Sequence, residues 1–294
     1  DVFAFVVMEH FDDSLFDYLP KANHRLELQF TEKKITLKTV EALSKYLDKN
    51  TSVTKFHISL VDQLQQDPDI SKALGKAIAR LTEVKDLGLD SSTAIAGLGQ
   101  FVEPLSGLNK IEALDISYST YEVDSKEASQ PLADFISSQT KLKKLSLAYI
   151  TEALRDESTE LITTTIAKHQ GLEYLDLNLG NMKYVKESKP CIAKMLNQLP
   201  ELRYLSFACE SSYPYDDKTF IGLLRAILGL KKLQGLLLYV ILSGVTPQGY
   251  ETLEEMMKRL PKLSKLLFTR QSLQPHETFK RIMDEYALRC DLKL

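Results

Sequence analysis

Residues 24 and 25 read His-Arg, and residues 85 to 89 read Lys-Asp-Leu-Gly-Leu, fragments of the kind that hold metal and nucleophile in phosphoryl transfer. That chemistry needs an Asp to orient the nucleophile, an Asn downstream of it and a second Asp on the metal. Leu26 stands where the first Asp belongs. Leu87 and Leu89 belong to a hydrophobic pattern described below, so the second fragment reads as structure. Gly75 and Lys76 in "ALGKAIARL" (73–81) lack the earlier glycine of a phosphate loop, and the apolar residues around them fall at helical spacing. His10, His24, His57, His169 and His276 are scattered, without the spacing of metal ligands or a paired nucleophile. "NTS" at 50–52 matches a glycosylation acceptor, but no secretory signal accompanies it. The expectation is a noncatalytic chain with no cofactor and no metal.

The totals narrow the class further. The chain has 294 residues, 44% of them hydrophobic, and its 37 basic and 40 acidic residues give a net charge of -3. No basic excess is present to neutralise phosphates, which argues against nucleic acid as a partner. The most apolar run, "LQGLLLYVILSGV" at 233–245, is too short to span a bilayer, so no membrane insertion is expected. Cys191, Cys209 and Cys290 are odd in number and widely spaced, as reduced thiols inside a cell would be, and the expected location is cytoplasmic or cytoskeleton-associated. The first residue is Asp1 rather than Met, which leaves open that the sequence is part of a longer protein.

One repeat organises the chain. "LKKLSLAY" (142), "LEYLDLNL" (172), "LRYLSFAC" (202), "LQGLLLYV" (233) and "LSKLLFTR" (263) share an L-x-x-L-x-[LF] template. "VTKFHISL" (53), "VKDLGLDS" (84) and "IEALDISY" (111) extend it backwards, with a weaker copy in "RLELQF" (25). The central positions Leu26, Phe56, Leu87, Leu114, Leu145, Leu175, Leu205, Leu236 and Leu266 are spaced by 30, 31, 27, 31, 30, 30, 31 and 30 residues. Alternation inside each unit predicts a short strand with one buried face. Between units, "VEALSKYL", "FISSQTKL", "CIAKMLNQLPEL", "FIGLLRAILGL" and "LEEMMKRLPKL" place apolar residues three and four apart, as an amphipathic helix does. Neither element can bury its apolar face alone, so neighbouring repeats must stack. An α/β solenoid of about nine strand-helix repeats follows, with a parallel sheet on the concave face and helices on the convex face.

From residue 25 to about 290 the pattern resembles the ribonuclease-inhibitor type of leucine-rich repeat. The resemblance implies a horseshoe fold and carries little chemistry. The family usually places Asn or Cys at the turn five residues beyond the central Leu; here Ser119, Ile150, Gly180, Glu210, Ile241 and Gln271 stand there, so the turns must be satisfied otherwise. "LEYLDLNLGNM" looks like a ciliate-type dialect in which repeats sometimes follow kinase-like segments. The opening "FAFVVMEHFDDSLFDYL" (3–19) resembles the hinge of a protein kinase: Phe5 to Met8 as strand, Glu9 as its acid, His10 to Asp13 as linker, Ser14 to Leu19 as helix start. Residues 1–24 are therefore expected to be an N-terminal cap or kinase-hinge remnant, and 25–294 the leucine-rich-repeat domain. The leading expectation is a protein-protein interaction scaffold; the alternative is the regulatory repeat region of a larger kinase or pseudokinase protein.

Residues flanking the buried leucines point to the concave face in three columns. Asp86, Asp90, Asp115 and Asp176 bring acids there beside Tyr174 and Tyr204, while Tyr239, with Leu237 and Leu267, makes the later end more apolar. These seven polar and aromatic residues, Asp86, Asp90, Asp115, Tyr174, Asp176, Tyr204 and Tyr239, are the candidate partner-binding set. The surface suits a protein partner with basic or mixed basic and apolar groups, with no oligomeric state specified. The polar segments at 118–131 and 209–218 are expected to be rim loops between strand and helix.

Overall fold

A computed structural model describes residues 3–8, 16, 21–22, 24–30, 35–60, 67–91, 95–123, 126–153, 155–181, 189–210, 216–240, 245–260, 263, 265–269, 277, 281–282 and 285. Ten strands and eight α-helices lie among them. The strands are β1 (Phe3–Met8), β2 (Arg25–Phe30), β3 (Lys55–Leu60), β4 (Asp86–Ser91), β5 (Ala113–Val123), β6 (Lys144–Ala153), β7 (Tyr174–Asn181), β8 (Tyr204–Glu210), β9 (Gly235–Val240) and β10 (Lys265–Thr269). The chain forms two compact units, residues 1–149 and 150–294, with the division inside β6.

In the first unit β1 to β5 pair in chain order, all parallel and without slippage, so that Arg25, Lys55, Asp86 and Ala113 stand side by side. In the second, β7 to β10 also pair in chain order and parallel, aligning Tyr174, Tyr204, Gly235 and Lys265, with one register shift between β7 and β8 at Asn178–Asn181. Period-two alternation fixes this register, because a one-residue slip would turn every leucine outward. On β2, Leu26, Leu28 and Phe30 are buried while Arg25, Glu27 and Gln29 are not. The fold is a leucine-rich-repeat solenoid, with repeated parallel strands and a helix between strands. β1 adds one strand ahead of the nine expected, pairing Ala4 with Leu26. The remainder of the kinase-like stretch lies outside the described residues, apart from buried Phe16, whose ring stacks on Tyr46 at 5.7 Å.

The helices begin earlier than the apolar runs suggest, and four of the five stop sooner, the exception being Leu37–Asp48, which outlasts its run by one residue. They span Leu37–Asp48, Pro68–Ile78, Ile95–Val102, Lys126–Ser138, Asp156–Ala167, Lys189–Leu196, Asp217–Gly229 and Pro247–Arg259. Thr36 and Asp216 cap theirs by accepting from the backbone N–H three residues on, and Asp67 caps by accepting from Asp69. The first apolar residue of each strand unit instead closes a backbone turn into that strand. Val53, Val84, Leu142, Leu172, Leu202, Leu233 and Leu263 each donate their N–H to the carbonyl three residues back. The 27-residue repeat between Leu87 and Leu114 fits by using a short helix followed by a 3-10 turn, Glu103–Gly107.

The acceptors in that turn are Asn50, Leu81, Gln139, His169, Leu199, Leu230 and Leu260. Asn50 differs from the leucines in holding a second segment. Its buried side chain accepts from the Ala22 N–H at 2.7 Å and donates to the Tyr46 carbonyl at 2.7 Å. Asn50→Leu, a residue used at the same place by Leu81, is expected to cost about 2 kcal/mol by stranding the Ala22 N–H in the interior. Urea unfolding with amide exchange at Ala22 measures it, and unchanged protection there would show that another acceptor takes over.

Neighbouring coils are joined at the strand starts. The carbonyls of His24, Thr54, Lys85 and Glu112 in the first unit, and of Glu173 and Arg203 in the second, each accept two consecutive N–H groups from the next coil. At the strand ends, the expected alternative to the family's Asn or Cys is seen at Gly180. It adopts a left-handed conformation, φ 54, and its N–H donates to Asn178 Oδ1 at 2.9 Å. The segment read as a rim loop at 118–131 is mostly not one: β5 runs to Val123 and a helix starts at Lys126. The aromatic and β-branched residues Tyr118, Thr120, Tyr121 and Val123 suit a strand, although the period-two alternation of Leu114, Ile116 and Tyr118 does not continue past Tyr118. At 209–218, β8 ends at Glu210 and a helix starts at Asp217, leaving a shorter connection than expected.

Candidate functional site

The candidate residues divide between the two units. Asp86, Asp90 and Asp115 lie on β4 and β5 of the first; Tyr174, Asp176, Tyr204 and Tyr239 lie on β7 to β9 of the second.

In the first unit the strand faces carry mixed charge rather than acid alone. Lys55 Nζ lies 3.9 Å from Asp86 Oδ2 on the adjoining strand, both half-exposed. Arg25 pairs with Glu27 along β2. The Ser59 hydroxyl donates to Asp90 Oδ2 at 3.1 Å, so Asp90 is engaged within the sheet. Asp115 is exposed and makes no hydrogen bond or ion pair with any described residue. Arg25, Glu27, Lys55, His57, Asp86 and Asp115 surround a hollow of about 140 Å³, with Gly88 buried beneath the His57 ring. A Cβ at Gly88 would come within 2.7 Å of His57 Nδ1, so the imidazole lies over the glycine.

In the second unit, Tyr174 and Tyr204 are direct neighbours in register, and their rings stack at 4.5 Å with an interplanar angle of 6°. The separation follows from the strand spacing, about 4.8 Å, which identical side chains at equivalent positions inherit. Tyr204 in turn lies over Gly235, where a Cβ would be 2.6 Å from Cδ2 of its ring. Asp176, Ser206 and Leu237 form the next column, Asn178, Ala208 and Tyr239 the third. Burial, followed by the negative charge of Asp176 and the proximity of Tyr239, pushes the Tyr204 phenol above its usual pKa, which keeps it protonated as a hydrogen-bond donor. Asp176 accepts no hydrogen bond from a described residue and is half-buried. Both surfaces thus place a ring over a strand glycine. Sequence reasoning passed over Gly88 and Gly235, although a glycine inside a strand is itself a signal of close approach.

Among the described residues no group of His, Cys, Asp and Glu is arranged to hold a metal ion. Nor is any helix among them long and apolar enough to cross a membrane.

No family model matches the sequence. Among solved structures, a protein from Bacteroides fragilis is similar with a TM-score of 0.51 at 12% identity, over 92% of this chain and 72% of that one. The leucine-rich repeat-containing protein LegL7 from Legionella pneumophila is similar with a TM-score of 0.46 at 13% identity, over 94% and 85%. The yeast Rad7 and Elc1 complex contains a chain similar with a TM-score of 0.44 at 13% identity, over 88% and 74%. At such identities the likeness concerns the fold alone.

Proposed function

We propose that the protein is a noncatalytic interaction scaffold that binds a protein partner on the exposed face of its sheet, with Tyr174, Tyr204 and Asp176 at the centre of the contact. The observation that carries this reading is the stacked tyrosine pair beside an unengaged carboxylate. Rigid aromatic side chains bury large area at low entropic cost, and a carboxylate at their edge receives a Lys or Arg. Tyr239 extends the aromatic area two strands from Tyr174 and supplies a third phenol. A helix in each described repeat supports the ribonuclease-inhibitor type, and the free thiol of Cys191 supports an intracellular location.

The test is a photo-crosslinking residue placed at Ala208 on the sheet face or at Lys45 on a helix. The partner should be captured from Ala208 and not from Lys45. With that partner in hand, replacing Tyr174 and Tyr204 together by Ala is expected to weaken binding by about 2 kcal/mol. If the rings only support the sheet, the double substitution lowers the unfolding midpoint and leaves the affinity of the folded protein unchanged, and the assignment falls.

A further inference from the structure

The hollow over Gly88 lies in the other unit and rests on different residues, so it stands or falls apart from the tyrosine pair. Its geometry comes from the second column, Glu27, His57, Gly88 and Asp115, where three side chains stand in line and the glycine leaves a gap between His57 and Asp115. The imidazole of His57 leans across that gap and forms one wall. Asp86, two residues before Gly88 on the same strand face, and Asp115, on the adjoining strand, supply two carboxylates at its edge. The cations on this surface are already committed: Arg25 to Glu27, and Lys55 toward Asp86. Asp115 is the carboxylate left without a counterion, and it faces an opening too small for a drug-sized molecule, which needs about 300 Å³ or more.

We propose that this hollow seats one arginine side chain of a peptide segment, its guanidinium lying against the His57 ring and donating to Asp115 and Asp86. A planar, delocalised cation suits the site on three grounds. It stacks on a flat ring, it presents donors in a fork toward two acceptors, and it is desolvated at lower cost than an ammonium.

The experiment uses the full chain labelled with ¹⁵N only at its 12 glycines. The probes are acetyl-Gly-Ser-Arg-Ser-Gly-amide and the same peptide with citrulline, which keeps the shape and removes the charge. Gly88 reports on the hollow, and Gly235, under Tyr204, reports on the aromatic surface. The arginine peptide should shift the Gly88 amide saturably, and the citrulline peptide should bind at least tenfold more weakly. Asp115→Asn, which preserves shape, should weaken the arginine peptide at least fivefold, while Tyr174→Ala with Tyr204→Ala should leave the Gly88 response intact. Gly88→Ala, which drives a methyl toward His57, should abolish saturable binding at this surface, followed through the remaining glycines. Equal responses to the two peptides, or a response indifferent to Asp115, would overturn the proposal. A shift at Gly235 alone would also overturn it, while leaving the tyrosine surface as a candidate.

Discussion

Gly75→Ala is expected to destabilise the protein by about 2 kcal/mol, the opposite sign to that given by helix propensity. Gly75 sits inside the Pro68–Ile78 helix, where alanine should gain about 1 kcal/mol over glycine. The added Cβ would stand 2.2 Å from the carbonyl oxygen of Phe101, 3.1 Å from its carbon and 3.3 Å from Pro104 Cγ. The nearest atom is backbone near the end of the next helix, and the proline beyond it lies in the first turn of a 3-10 segment, so relief requires one helix to move away from the other. Overpacking of this kind costs about 1–3 kcal/mol and more where the obstacle is rigid, which exceeds the propensity gain. Urea unfolding decides the sign. A variant as stable as the parent or more so would show that the helix pair separates freely. The same contact explains why Gly75 and Lys76 imitate a phosphate loop without being one: the glycine is there for the neighbouring carbonyl.

Phe207→Ala is the larger loss, about 3–5 kcal/mol. Phe207 is 1% exposed on β8, aligned with Leu177 on β7 and Leu238 on β9, both fully buried. Truncation leaves a cavity walled by two adjoining repeats, and each repeat depends on its neighbours for a core. The damage should therefore appear in the second unit: amide protection should fall across β7, β8 and β9 more than across β2 to β4. A uniform loss of protection along the whole chain would contradict a division into two units, and a cost below about 1 kcal/mol would mean that the site collapses to fill the gap.

Strand positions and register were legible in the sequence because both are local signals repeated many times. The alternation in "RLELQF" and "KFHISL" gives the buried face, and the spacing of Leu26 and Phe56 gives the partner; the pairing of Arg25 with Lys55 then follows without further information. The stacked pair Tyr174 and Tyr204 was reachable by the same route. Helix limits were less so, because the apolar residues at Leu142 and Leu202 belong to the turn into the strand and share the helical spacing only by position. Gly75 against Phe101 and Asn50 against Ala22 were not legible at all. Each depends on atoms about thirty residues apart meeting within a few ångströms, and no periodicity encodes that. The acids of the first unit were legible as positions but not as chemistry: their counterions and the hydroxyl on Asp90 appear only when the columns are assembled.

The double acceptance at the strand starts has a consequence for how such a chain can diverge. His24, Thr54, Lys85, Glu112, Glu173 and Arg203 have nothing in common as side chains, and what joins the coils is the carbonyl that every residue possesses. Substitution at these six positions therefore leaves the joint intact. Only proline at a donating position, such as Thr54, Lys55, Lys85 or Asp86, removes a hydrogen from it. Mutational drift is thus restricted by one excluded residue type rather than by a required one, and the outward columns can be rewritten codon by codon while the coils stay in phase. A lineage built this way can keep its backbone long after its sequence has become unrecognisable, and can acquire a new target by exchanging a few outward residues on a frame that does not register the change.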